Sequence, residues 1–413
     1  MKSKKLVALG LAALMGVSAL AGCGGSKSSD NNKKDGESKS ATLTVWSPSE
    51  DQSEEQGNWL KKELEAFQKA HPEWKLTFNT GVCPEGDAKT MVATDPGAAA
   101  DVFMFANDQI PDLLKANALA ELGGTTLEAI KKNNNETTVN TVTYNNAVYG
   151  VPFTGNTWFM YYDKRVFSAD DAKNLDTMLK KGKVGYPLSN SWYFQSTYVA
   201  NGCTMFGKDG KDEKAGFDFG GEKATAVTNY LIDMAKNPNF KDANGLTPST
   251  LADGTVNALF SGAWDYKAVV DALGKENVGI AIPPKFTVGG KEVQMKAFAG
   301  SKAIGVNPNS KNSEIAVALA AFLGSSQAQK DHYDLRKVIP SDTSLNISDD
   351  LAKVQLDTMQ NAAIVQPLQS AMGQYWTPAE SMGKEIIAGT VTHENAAEKT
   401  ESMNKAMNTA AVQ

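Results

Sequence analysis

Three histidines, His71, His332 and His393, lie far apart in a chain of 413 residues. No HExxH or CxxC spacing accompanies them, so no pattern for a metal site or a bound cofactor is present. Neither a GxSxG nucleophile elbow nor a GxxxxGK phosphate loop occurs. What the chain does hold is acids and flat rings. Its 47 Asp and Glu residues could supply the two carboxylates that glycoside hydrolysis needs at a set separation. Such an enzyme also needs one acid buried to raise its pKa, and no feature of the sequence marks one.

The rings are more informative. Of seven tryptophans, Trp192, Trp264 and Trp376 stand beside glycine, proline or serine breaks. Trp46 and Trp74 fall in strand-like runs and read as core, and Trp158 reads as structural. The acids Glu50, Asp51 and Asp108 each follow a strand-like run. A pyranose has an apolar C–H face and a rim of hydroxyls. Aromatic faces suit the first, and carboxylates and amides suit the second through charge-assisted hydrogen bonds. Apolar walls with a few placed polar groups are the general small-ligand pattern. Trp376, in a Gly373-Gln374-Tyr375 loop before Pro378, and Trp264 are expected to line a cleft.

The elements that must position these residues follow from periodicity. Thr42 to Trp46 alternates like a strand; Leu60, Leu64 and Phe67 mark a helix over 54–70 that ends at His71-Pro72; Trp74, Leu76 and Phe78 alternate again. Asp101 to Phe105 is a nearly continuous apolar run, suited to a strand buried on both faces. Strand, helix, strand, helix argues for an α/β layer architecture with mostly parallel strands, whose ligands bind beyond the carboxyl ends. Those ends are Trp46 to Asp51 and Phe105 to Gln109. The stretch Tyr144 to Asp163 then holds two strand-like runs in line, interrupted by Pro152 and Gly155. We read it as the chain crossing from one lobe to another, with the ligand beside the crossing. Phe298 to Val306 reads as a second crossing, and the tail from Leu351 is helical, broken at Pro367 and Pro378.

A length of 413 residues suggests two domains. With 47 acids against 41 bases the chain has no broad electrostatic case for nucleic acid. At the N-terminus, Lys2, Lys4 and Lys5 precede a short apolar run and then Leu20-Ala21-Gly22-Cys23. The apolar run is below the length of a membrane span and reads as a signal peptide over 1–22. Residues 24–40 lack large apolar side chains and are expected to be a disordered tether reaching on the order of 20 Å. An exported location permits a disulfide between Cys83 and Cys203. The bond would clamp the two lobes together, so free thiols are the expectation.

Six segments, in order, resemble one family: LTVWSPSED (43–51), ADVFMFANDQIPDLLKANALAEL (100–122), YNNAVYGVPF (144–153), TVNALFSGAWDY (255–266), AFAGSKAIGVN (297–307) and QPLQSAMGQYWTPAE (366–380). The family is the extracellular solute-binding proteins of sugar ABC transporters, in particular those for maltose and maltodextrins. The stretch around Cys23 resembles the lipobox of bacterial lipoproteins, which implies a lipid anchor on Cys23 at the extracytoplasmic face of the cell membrane. The resemblance implies a two-lobed periplasmic-binding-protein-like fold, crossed near 154, 302 and 345. One lobe would span 41–154 plus 303–345 and the other 155–302 plus 346–413. It implies sugar contacts from Glu50, Asp51, Phe105 and Asp108 on the first lobe. From the second lobe and tail it implies Asn156, Trp192, Trp264, Tyr375, Trp376 and Glu380. Three positions depart from the family pattern: Gln109 and Glu380 stand where an arginine is common, and Asn156 where a glutamate is. The implied activity is capture of malto-oligosaccharides by a monomer and delivery to ABC permease subunits, without catalysis. The alternatives are another oligosaccharide, a lipid-anchored glycoside hydrolase, or an adhesin.

Overall fold

The computed structural model describes residues 39–345 and 347–409. The signal peptide, Cys23 and nearly all of the tether lie outside them. The alternation of Ala41, Leu43 and Val45 forms the strand Lys39–Ser47, with those side chains turned inward. It runs parallel to Trp74–Val82 on one side and to Val102–Ala106 on the other. The latter is buried almost throughout, as a strand covered on both faces must be. Ala297–Val306 continues the sheet antiparallel to it, and Val151–Asn156 and Ala363–Val365 both pair with that strand. A second sheet has the order Phe240–Asp242, Val184–Tyr186, Ala258–Gly262, Trp158–Asp163, Val278–Ala281. Both sheets are mixed, with helices around them. Several antiparallel pairings involve strands at the crossings, which enter each sheet against the direction of its βα units.

Buried apolar side chains fall into separate cores. One gathers Leu43, Trp59, Phe103, Phe105, Phe153 and Ile304. Another gathers Trp158, Tyr186, Phe194, Phe260, Phe298 and Tyr375. A third, on the other face of the second sheet, holds Phe159, Tyr161, Leu259 and Ile339. Phe153 and Trp158, five residues apart, therefore belong to different bodies, as do Phe298 and Ala303. The crossings are tied to one another by short hydrogen bonds. Thr157 Oγ1 donates to the Phe298 carbonyl at 2.8 Å, and Thr154 Oγ1 to that of Ile339 at 2.6 Å. Gly300 pairs with Asn156 and Ser301 with Gly155. Cys83 and Cys203 are free and buried in different cores. Burial pushes their thiols up, to about 11 and about 12, which leaves them protonated and inert.

The helix Trp59–Ala70 buries Trp59, Leu60, Glu63, Leu64 and Phe67 on one stripe. Glu63 is only 5% exposed. Desolvation, helped by the nearby Asp331 charge, raises its carboxyl from 4.5 to about 7. Periodicity does mark this acid, since it lies between Leu60 and Phe67 on the apolar face. Between pH 4.5 and 7 the folded chain thus holds a proton that the unfolded chain releases, so stability falls as pH rises through that window. Glu63→Gln should melt higher than the parent protein at pH 8 and close to it at pH 5. Equal shifts at both pH values would show that Glu63 does not titrate there.

Candidate functional site

Strand register locates the site. Lys39–Ser47 and Val102–Ala106 are parallel, so their carboxyl ends, leading to Glu50 and Asp108, share one edge. Lys302 pairs with Ala106, so the preceding residues of the second crossing leave the first sheet at that same edge. In the second sheet, Val184–Tyr186 and Ala258–Gly262 are also parallel, and their carboxyl ends lead to Trp192 and Trp264. Trp158, just past the first crossing, pairs with Gly262. The carboxyl edges of both sheets therefore converge on the crossing, one bearing acids and the other indoles.

Trp264 is 55% exposed. One face of its ring covers Gly262, where a Cβ would lie 2.0 Å from ring carbon Cζ3. Trp192, on the first turn of the helix Ser191–Ala200, is half-buried, with its ring centroid 5.9 Å from that of Trp264 and the planes at 45°. Its indole N–H donates to Gln366 Oε1 at 3.1 Å. Trp376 is half-buried with its ring edge-on to Phe298 at 6.1 Å.

Residues 373–375 form no loop. They begin the helix Gly373–Ile387, with Pro378 inside it. Near the helix start, proline removes one main-chain bond. The buried stripe Tyr375, Ala379, Met382, Gly383 and Ile386 outweighs that loss. The same stripe overturns Tyr375 as a ligand contact. Its ring is fully buried, and its hydroxyl donates to the Ser191 carbonyl at 2.7 Å. That bond draws the helix starts carrying Trp192 and Trp376 together. Farther along, Gly383 rests on the turn leading to Trp192, where a Cβ would lie 2.2 Å from the Leu188 carbonyl oxygen. Backbone cannot swing aside as a side chain can. Gly383→Ala should therefore lower stability by about 2 kcal/mol through overpacking, read as a fall in the denaturant midpoint.

The acids divide sharply. Asp108 is exposed to water, yet desolvation raises its carboxyl above the ordinary value, against the lowering effects of a backbone hydrogen bond and Lys89. Glu50 is exposed on the turn of helix Ser49–Gln52, and a backbone hydrogen bond lowers its carboxyl. Asp51 is a different case: at 2% exposure it accepts from His332 Nε2 at 2.8 Å and from Arg336. Its buried carboxylate anchors the helix Ser326–Arg336, which corrects its placement among sugar contacts. Phe105 is likewise corrected. It is wholly buried in the first core against Phe103, because both faces of its strand are covered. Gln109 is buried and bonded to Lys89 N and the Gly86 carbonyl. Asn156 is half-buried at the crossing, and Glu380 pairs with Lys384 one helical turn on.

Sequence reasoning missed residues that hold this edge together. Asn107, adjacent to Asp108 and 5% exposed, accepts from Ser301 N at 2.8 Å and donates to the Thr141 carbonyl at 2.9 Å. Ser301 and Thr141 hydroxyls meet at 2.6 Å. These partners are remote in sequence, so no local spacing announces them. Lys302 on the second crossing pairs with Glu85 at 3.2 Å. Two hollows are present, the first lined in part by Gln366. One of about 490 Å³ sits between the 136–146, 203–211 and 364–369 segments, and one of about 530 Å³ between the helix Trp59–Ala70 and the strand Trp74–Val82. Neither includes Trp264 or Asp108. Among the described residues no group of three or more His, Cys, Asp or Glu side chains converges to hold a metal.

Two α/β bodies are joined by paired crossing strands, with acids after the carboxyl ends of one sheet and indoles after those of the other. Residues 63–358 match the family of bacterial extracellular solute-binding proteins, and the chain belongs to it. A maltooligosaccharide ABC transporter solute-binding lipoprotein of Streptococcus pneumoniae is 27% identical over 394 residues, 88% of each chain. A solved structure described as "with acarbose" is 50% identical, with a TM-score of 0.79 over 89% of this chain and 99% of that one. A maltodextrin-binding protein of L. casei BL23, solved without ligand, is 26% identical, with a TM-score of 0.82 over 90% of this chain and all of the other.

Proposed function

We propose that the protein captures malto-oligosaccharides between its two bodies and delivers them to an ABC importer. The observation that carries this is the exposed Trp264 ring, 5.9 Å from Trp192, at the carboxyl edge of the second sheet beside the crossing. Relatives that bind maltooligosaccharides or maltodextrin, and one seen with acarbose, support the α-glucan class. Sugar would meet one body first, and the bodies would then close about the crossings. Closure is favoured only by as much as sugar binds the closed form better than the open one. The closed form would dock on the permease subunits as a monomer. Anchoring would come from a lipid on Cys23 after removal of the signal peptide, with residues 23–40 as the tether. The bodies would be 41–154 plus 303–345 and 155–302 plus 346–413; the division of buried side chains supports the breaks near 154 and 302, while Ile339 packs with the second sheet and Leu368 with the first core.

The contact set we propose is Trp192, Trp264 and Trp376 for sugar faces, and Glu50, Asp108, Asn156 and Glu380 for hydroxyls. We infer that the protein is not an enzyme. Glu63, whose pKa is raised as a glycosidase acid's would be, sits buried between helices, away from the aromatic edge. A thermal-shift screen across maltose, maltodextrins, cyclodextrins, lactose and xylo-oligosaccharides tests the class, because a ligand of the native state raises Tm. No shift with any α-glucan sinks it. Incubation with maltotetraose tests the mechanism, since shorter products would mean hydrolysis. As an ionised acceptor of sugar hydroxyls, Asp108 should lose its contribution on acidification, at a higher pH than an ordinary aspartate because its pKa is raised. Calorimetry of Asp108→Asn should then show weaker binding at neutral pH and a flatter acid limb.

A further inference from the structure

The Trp192 indole has two ways to meet a ligand: through its π face or through its N–H. Gln366 removes the second. Its Oε1 accepts the Trp192 Nε1 hydrogen at 3.1 Å, across 174 positions of sequence. Gln366 is itself held, because its main-chain N–H donates to the Ala299 carbonyl at 3.0 Å, just past the strand Ala363–Val365 that pairs with the second crossing. Tyr193 stands edge-on to the Trp192 ring at 5.4 Å and 89°, and limits its tilt. With its N–H engaged, the half-buried indole meets a ligand through ring surface, 5.9 Å from Trp264. We propose that Gln366 is a positioning residue. It fixes the rotation of Trp192 so that this ring recognises the apolar C–H face of a sugar, not a hydroxyl. The inference rests on the sugar-binding reading for its consequence, though the orientation itself does not.

The test is a double-mutant cycle on the full chain. Gln366→Leu keeps the bulk and removes the acceptor, while Gln366→Glu keeps an acceptor. Calorimetry with maltotetraose should show about a fivefold loss for Gln366→Leu, the worth of one hydrogen bond, and recovery of most of it in Gln366→Glu. In a Trp192→Phe background, which has no N–H to hold, Gln366→Leu should cost nothing further. An equal loss in both backgrounds, or no loss in either, overturns the proposal. Fluorescence without sugar separates this from the functional reading. The Trp192 contribution, isolated by subtracting the Trp192→Phe spectrum, should shift on Gln366→Leu. A parent protein that binds no α-glucan would overturn the sugar reading, and an unmoved spectrum would overturn the role of Gln366.

Discussion

Trp264→Ala is expected to weaken malto-oligosaccharide binding by roughly 30-fold, about 2 kcal/mol, and to leave the melting temperature almost unchanged. The two effects separate because of how the ring sits. More than half of it faces solvent, so truncation removes little of the core's burial. A sugar stacked on the open face would lose most of the aromatic area it covers. The other face rests on Gly262, whose lack of a Cβ lets the ring lie against the strand end. Titration calorimetry and a thermal melt of the same variant decide the matter. An unchanged dissociation constant would remove Trp264 from the site, and a large fall in Tm would make it a packing residue.

Asp51→Ala is expected to do the reverse. Asp51 and His332 are 2% and 4% exposed, and Arg336 joins them on the same carboxylate. Deleting one partner of a buried ionic cluster strands the others, at about 3 kcal/mol or more. The denaturant midpoint should fall accordingly and Tm by ~5–10 °C. Sugar affinity, measured well below the melt, should move far less than in Trp264→Ala. Were Asp51→Ala to abolish binding in a protein that melts normally, Asp51 would return to the ligand set. The helix it anchors leads directly into the third crossing, where Ile339 and Ser341 bond to Thr154 and Phe153. Loosening that helix therefore tests whether lobe stability and closure are separable.

Sequence periodicity was enough for the strands and most helices, because burial on one face imposes a period that the chain carries locally. It misjudged the tail. Proline at 378 reads locally as a break, but a helix start tolerates one missing hydrogen bond when the stripe below it is buried. It also overlooked Glu63, whose position on the apolar stripe was legible once Leu60 and Phe67 were lined up. The acids show the limit most clearly. Glu50 and Asp51 are neighbours after the same strand, and residue type could not separate them. One lies exposed and the other is bound by His332 and Arg336, some 280 positions away.

From its amino acids alone, the chain declared an α/β build, crossings at Pro152–Gly155 and at 298–306, and a supply of indoles and carboxylates suited to a sugar. Those are properties of short stretches, written in side-chain alternation and in residues that forbid regular structure. Which indole stays open, which acid is spent on holding a helix, and which amide turns Trp192 are decided only when distant segments meet. A hydrogen bond between residues 192 and 366 exists by virtue of two helices and a crossing strand packing together, and no local pattern encodes that encounter.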